Sequence, residues 1–353
     1  MQVWIFSVIN FIIILGLLVL AHEGGHYLAA KRAKMRVDEF AIGMGPILAR
    51  LGHHGETLFT IRWLPIGGFV KIAGMTPDEE DIEGGFSTKS WGQRVFAVFA
   101  GPLASILFGY IVFVFLCMSV GVADRPLPVV DVVSPKSEAS RIGLKTGDRI
   151  LAIDNQPTPN WDTMYNIVKV SGGKVITLSI KRGSSQIELK ASPKNIDPLS
   201  GKFSQNAKIG FSPEYELKRL GPAQAFVFGS QFTVRMLGDM VGMFKSGKKI
   251  KENVGGPIAI VSITRKATEK GFGSLLMLAG SLSISLGFIN LFPIPILDGG
   301  HILLLFVERL RGGRKLSLRA QVVVQYIGLV MIVGIFMSVM YLDIARIINH
   351  KMP

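Results

Sequence analysis

Trp4-Ile5-Phe6-Ser7-Val8-Ile9-Asn10-Phe11-Ile12-Ile13-Ile14-Leu15-Gly16-Leu17-Leu18-Val19-Leu20-Ala21-His22-Glu23-Gly24-Gly25-His26 has no charge from Trp4 to Ala21, then carries His22, Glu23 and His26. An apolar run of about 20 residues is the length of α-helix that crosses a bilayer. Three more runs follow, Val95 to Val122, Gly271 to Leu297 and Ala320 to Leu342. The 353-residue chain is 49% hydrophobic, with a mean hydropathy of +0.41. That is more apolar surface than a single soluble core of this length needs. The expected class is a polytopic α-helical membrane protein in a lipid bilayer, with about four spanning helices.

The formal net charge is +14, yet no nucleic-acid-binding motif accompanies it, so nucleic acid is not an expected partner. Much of the charge flanks the apolar runs instead. Lys31, Arg32, Lys34 and Arg36 follow the first, Lys89 and Arg94 enter the second, and Arg309, Arg311, Arg314, Lys315 and Arg319 separate the third from the fourth. The positive-inside rule makes these flanks cytoplasmic and places both termini outside. The opposite side is poorer in charge, with Arg125, Lys251, Arg265, Lys266 and Lys270. No basic residues precede the first run, which therefore reads as a retained helix and not as a cleaved signal peptide. The single cysteine, Cys117, excludes a disulfide framework and a Cys-based metal site.

The runs divide the chain. Residues 1–36 form the first transmembrane helix. Residues 37–90 alternate apolar stretches with glycine, as in FAIGMGPILARL and TLFTIRWLPIGGFVKIAGM, and read as a membrane-associated β-hairpin region on the cytoplasmic side. Residues 91–122 form the second transmembrane helix. Residues 125–212 are charged, with strand-like runs LPVVDVV, DRILAID, VITLSIKR and SQIELKAS and one helical stretch, NWDTMYNIVKV: an inserted α+β domain. Ser134-Pro135 through Gly143-Leu144-Lys145-Thr146-Gly147-Asp148-Arg149-Ile150 resembles the strand–turn–strand signature of bacterial PDZ domains, which implies capture of peptide termini by strand addition. Residues 220–252 suit an amphipathic helical linker, because Arg235 and Asp239 interrupt their apolar spacing. Residues 271–308 hold the third transmembrane segment and 320–345 the fourth.

His22-Glu23-x-x-His26 on a helix sets two imidazoles one turn apart on one face, the separation at which both reach one zinc ion, with Glu23 beside them as base. An acidic residue at membrane depth costs about 2.5–3.5 kcal/mol at a helix centre and marks function. A catalytic zinc commonly takes three protein ligands and one water, so a third ligand must come from elsewhere. His53, His54, His301 and His350 are candidates, as is Asp298, which follows the proline-broken Asn290-Leu291-Phe292-Pro293-Ile294-Pro295-Ile296-Leu297 and precedes Gly299-Gly300. The Asp298 carboxylate also suits a helix N-cap. His53-His54 reads as a solvated turn, and His301 as a neighbour that supports the site or packs beside it.

HEGGH at 22–26 and Asn290-x-x-Pro293-x-x-x-x-Asp298-Gly299, on membrane segments with a PDZ-like insert between them, resemble the HExxH and NxxPxxxxDG motifs of the site-2 protease family of intramembrane zinc metalloproteases. The likeness is to its bacterial branch, which includes the regulator of sigma-E protease. It extends over nearly the whole chain. The resemblance implies that His22, His26 and Asp298 bind Zn2+, that Glu23 is the general base, and that Asn290 helps hold the substrate backbone. It implies an enzyme of the bacterial cytoplasmic membrane with the PDZ-like domain on the outer face and the active site toward the cytoplasm. The substrates it implies are single-span membrane proteins, anti-sigma factors or remnant signal peptides, cut by regulated intramembrane proteolysis.

Gly67-Gly68-Phe69-Val70-Lys71, within the Gly67–Met75 stretch, looks like the family's membrane-associated hairpin and is expected to pair with unwound substrate, because freed amides are costly in lipid. Two positions depart from the family pattern. Ser105 stands where Gly-Pro-x-x-Asn calls for asparagine, and Gly24 stands at a position commonly bulky. A non-catalytic membrane PDZ scaffold is the alternative; an intact Glu23 argues against it, because a structural metal site needs no base.

Overall fold

The computed structural model describes residues 2–76, 79, 82–196, 203–245 and 255–348. Lys251, His350 and positions 246–252 of the linker lie outside them. The chain forms two compact units, Met1–Met118 with Gly221–Pro353, and Ser119–Leu220.

In the first unit, helix α1 (Gln2–Arg32) leads into strands β1 (Val37–His54) and β2 (Thr57–Ile72), and helix α2 (Trp91–Ser119) follows. The inserted unit holds β3 (Val122–Val133), α3 (Glu138–Arg141), β4 (Arg149–Ile153), β5 (Gln156–Pro157), α4 (Trp161–Val170), β6 (Ile176–Arg182), β7 (Ser185–Ala191), β8 (Lys194–Ile196), β9 (Phe203–Lys208) and β10 (Phe211–Lys218). The first unit resumes with α5 (Pro222–Lys245), α6 (Pro257–Lys270), α7 (Phe272–Asn290), α8 (Asp298–Leu310) and α9 (Leu318–Ile348).

Among the described residues, four helices are long and apolar enough to cross a membrane: α1 from Trp4, α2, α7 and α9. On α1, Ile5, Phe6, Ile9, Ile12, Ile13 and Leu17 are exposed. Such a surface is stable only against lipid, where a helix also satisfies its own backbone. The 271–308 run is two helices: α7 stops at Asn290 and α8 starts at Asp298, because Pro293 and Pro295 cannot donate to a helical ladder. Helix α6, with proline at its start, is too polar to be found as an apolar run.

Strands β1 and β2 curl so that Glu39–Ile42 is flanked on both sides, by Leu58–Ile61 and by Gly68–Lys71. Glu39 accepts from Thr60 Oγ1 at 2.6 Å and from Arg62 Nη2 at 2.7 Å. The Arg62 guanidinium lies 4.8 Å over the Phe69 ring, which ties the curl together. The segment 68–72 forms the outer edge of this sheet, and no other described strand lies beside it.

In the inserted unit the strands run in the order β10-β3-β4-β6-β7, with β5 on β4, and β8 pairs separately with β9. Val130, Ile150, Ile153, Leu178 and Ile180 face inward, and α4 adds Met164 and Val168. Asn160 caps α4, accepting from the Thr163 N–H at 2.8 Å. Two buried carboxylates tie the loops. Asp148 accepts from Arg182 at 2.8 and 2.7 Å, and Glu138 accepts from Arg141 and from the Ser192 N–H.

Candidate metal centre

His22 and His26 stand one turn apart near the end of α1, so both rings leave the same face. Asp298 is the first residue of α8, and Leu297, not Asp298, is the N-cap, with no side-chain cap bond. The carboxylate turns to the rings instead. Its Oδ2 lies 3.1 Å from His22 Nε2 and its Oδ1 lies 3.4 Å from His26 Nε2, while the two Nε2 atoms are 3.3 Å apart. The Asp298 side chain is 17% exposed, so a carboxylate facing lipid is ruled out. Among the described residues this is the group of three His, Cys, Asp or Glu side chains whose ligand atoms fall within 4.8 Å of one another.

The donor set fits zinc. Ligands about 2.0–2.2 Å from a tetrahedral ion lie about 3.3–3.5 Å from one another, and the three separations here are close to that edge length. The ring chemistry agrees. His26 Nδ1 is 2.9 Å from the Ala97 carbonyl oxygen, which can only accept, so Nδ1 carries the hydrogen and Nε2 has a lone pair for a cation. His22 Nδ1 is 2.9 Å from Ser105 Oγ.

The site borders a cavity of about 410 Å³ whose wall includes Val19, Glu23, Met44, Leu286, Asn290 and Ile296. Asn290, the last residue of α7, has Nδ2 3.3 Å from His22 Nε2. The edge segment Gly67, Gly68, Phe69 and Val70 lines the same cavity, and the Val70 backbone hydrogen-bonds the Glu23 carboxyl. Gly68 is required there: a Cβ would lie 2.7 Å from Val19 Cγ1 and 2.7 Å from the Ala41 carbonyl. Lys71 does not line the cavity and pairs with Glu79 at 2.9 Å. Of the other histidines, His53 and His54 are exposed at the hairpin turn, and His301 lines a second cavity with Arg94 and Glu308.

Helix α8 is held at its far end. Trp91 Nε1–H donates to the Leu305 carbonyl at 2.9 Å, and Arg94 makes a bidentate pair with Glu308 at 3.0 and 2.8 Å. Sequence reasoning missed these ties and the Ala97 and Ser105 contacts: a backbone carbonyl carries no motif, and Ser105 stood out only as a departure from the Gly-Pro-x-x-Asn pattern, with no partner indicated.

The family model for peptidase family M50 matches residues 10–335. A relative from Clostridium acetobutylicum is 33% identical over 348 residues, covering 98% of this chain and 99% of its own. The zinc metalloprotease RasP of Geobacillus kaustophilus is 27% identical over 422 residues, covering 96% of this chain and 98% of its own. The crystal structure of the PDZ domain of an SdrC-like protein from Listeria monocytogenes covers 26% of this chain and 92% of its own at 17% identity, with a TM-score of 0.21. The site-2 protease motifs and the match across nearly the whole chain agree: the chain belongs to peptidase family M50, a family of membrane-embedded zinc metalloproteases.

Proposed function

We propose that this chain is an intramembrane endopeptidase that hydrolyses peptide bonds inside the transmembrane segments of single-span membrane proteins, with His22, His26 and Asp298 as zinc ligands. The observation that carries the reading is the convergence of two Nε2 atoms and one carboxylate within 3.1–3.4 Å, in a cavity bordered by the outer edge of a sheet, beside which no other described strand lies. Bound zinc supplies an acidified water and polarises the scissile carbonyl.

The chain's own groups do the rest. Glu23 takes the proton of the attacking water and passes it to the leaving amine. A helical substrate must unwind to expose its peptide bond, and its freed amides need partners in lipid. The edge at Gly67–Lys71 offers backbone groups to them, as in strand addition. Asn290, the last residue of α7, holds the substrate carbonyl or amide once it leaves His22; its Nδ2, 3.3 Å from His22 Nε2, supports this role.

The basic flanks support an orientation in a bacterial inner membrane with the active site toward the cytoplasm and both termini and the inserted unit outside. Likeness to the site-2 protease family supports anti-sigma factors and remnant signal peptides as the substrate types. The inserted unit has a cavity of about 280 Å³ lined by Trp161, Met164, Val168, Ile209 and Phe211. Its apolar wall between a helix and strand residues supports the reading of a PDZ-like groove for peptide termini.

The test is purified Glu23→Gln and Asp298→Ala beside the wild type, with a single-span substrate and metal analysis. Glu23→Gln is expected to keep one zinc and lose cleavage by about 10²–10⁴-fold, whereas Asp298→Ala loses both. Unchanged cleavage by Glu23→Gln, or full zinc in Asp298→Ala, overturns the assignment.

A further inference from the structure

We propose that Ser105 is a positioning residue for His22, and that the α2 face bearing Ala97, Gly101 and Ser105 is the wall that aims both imidazoles at the metal. The proposal rests on the metal-centre reading above. The three positions are spaced by four residues, so they lie on one face of α2.

Each does a different task. The Ala97 carbonyl accepts from His26 Nδ1 and fixes that ring's hydrogen. At Gly101 a Cβ would overlap His26 Nε2, so only glycine lets the ring lie against the helix. Ser105 is fully buried, with Oγ 2.9 Å from His22 Nδ1. Its own carbonyl accepts from Ser283 Oγ at 2.7 Å, which anchors that turn of α2 to α7.

A hydroxyl differs from a carbonyl in one respect that matters here: it both donates and accepts. When His22 Nε2 binds a cation, Nδ1 carries the hydrogen and Ser105 Oγ accepts it. When Nε2 instead donates to Asp298, 3.1 Å away, Nδ1 is bare and Ser105 donates to it. Ser105 therefore keeps the His22 ring in one orientation in both states, and the site stays formed before the ion arrives. Partners of this kind typically change metal affinity by about 10–100-fold when removed.

The experiment titrates the metal-free full chain in detergent with Co2+, reading the visible d–d absorption, and then displaces Co2+ with Zn2+. Ser105→Ala is expected to weaken Zn2+ binding by about 10–100-fold and to alter the Co2+ band. Ser105→Thr and Ser105→Val have the same shape and differ in the hydroxyl, so that pair decides the matter even if alanine disturbs folding. Threonine is expected to hold the wild-type band, and valine to lose affinity as alanine does. Leu103→Ala, on the exposed side of α2, is the control and should leave both readouts unchanged. Equal affinities and spectra for threonine and valine overturn the role of Ser105. A wild type that takes up no stoichiometric Co2+ overturns the metal-centre reading itself, a separate result.

Discussion

Gly24 and Gly25 are adjacent in HEGGH and carry opposite duties. A Cβ on Gly24 meets nothing within 4 Å, whereas one on Gly25 would overlap the Ala100 carbonyl and the Ala104 side chain. Gly25 is thus the point where α1 and α2 touch backbone to backbone, which brings Ala97 and Ser105 to the rings. Gly24 costs helix stability without any packing return. Glycine in a helix interior is about 0.5–1 kcal/mol worse than alanine, so Gly24→Ala is expected to raise stability by about that amount. Gly25→Ala overpacks the crossing and is expected to cost about 1–3 kcal/mol and to abolish zinc retention. Thermal unfolding in detergent, with zinc content measured on the same samples, checks both. A Gly25→Ala protein as stable and zinc-loaded as wild type would contradict the crossing geometry.

At the scale of elements, the segment between α7 and α8 determines where Asp298 points. It is packed from three sides: a Cβ on Gly299 would overlap the Leu291 and Phe292 carbonyls, one on Gly300 the Ile294 carbonyl, and one on Gly328 of α9 the Pro295 carbonyl. Within it Ile296 has φ 85°, a conformation that a β-branched residue adopts only under strain. Strain of this kind costs about 1–3 kcal/mol and persists where surrounding packing forces it. Ile296→Gly is therefore expected to stabilise the protein by about 1 kcal/mol, read as a higher Tm, while loosening the segment and lowering zinc affinity; an unchanged or lower Tm would show that Ile296 stores no strain. The sequence announced this break through Pro293 and Pro295, but not its packing. Glycines at 299, 300 and 328 reveal their reason only when the carbonyls they admit are known. The hairpin region was legible as strands and glycine, yet the curl that turns Gly68–Lys71 into an edge beside Glu23 depends on pairing Glu39–Ile42 twice, which no local pattern encodes.

For the molecule as a whole, the four spans and the motif order were legible because hydropathy and HExxH are local signals, while the third ligand was legible only through the likeness of Asn290-x-x-Pro293-x-x-x-x-Asp298-Gly299 to a family motif: Asp298 meets His22 across most of the chain, and residue chemistry alone left it beside His53, His54, His301 and His350. Helix α6 and strand β10 escaped notice for the same kind of reason: one lacks an apolar run, and Phe211–Lys218 alternates too many charges to read as a core strand. The inserted unit carries a second kind of information, in its buried carboxylates. The hydrogen-bonded Arg141 guanidinium holds the Glu138 carboxyl below the ordinary range. Burial pushes the Asp148 carboxyl up, but Arg182 and the Lys145 N–H outweigh it, so it too lies low. A carboxyl more acidic in the folded than in the unfolded chain stabilises the fold fully above the unfolded value, about pH 4. That contribution is lost as pH falls through the lower folded value. The unit is therefore expected to hold its stability from neutral pH down to about pH 5 and to lose it below about pH 4. Hydrogen–deuterium exchange at β4 and β6 in the full chain, corrected for the intrinsic pH dependence of amide exchange, measures this. Asp148→Asn should destabilise β4 and β6 at pH 7 by about 2 kcal/mol and flatten their response to acid; a variant whose protection falls with acid as steeply as the wild type would show that Asp148 is not a source of the pH dependence.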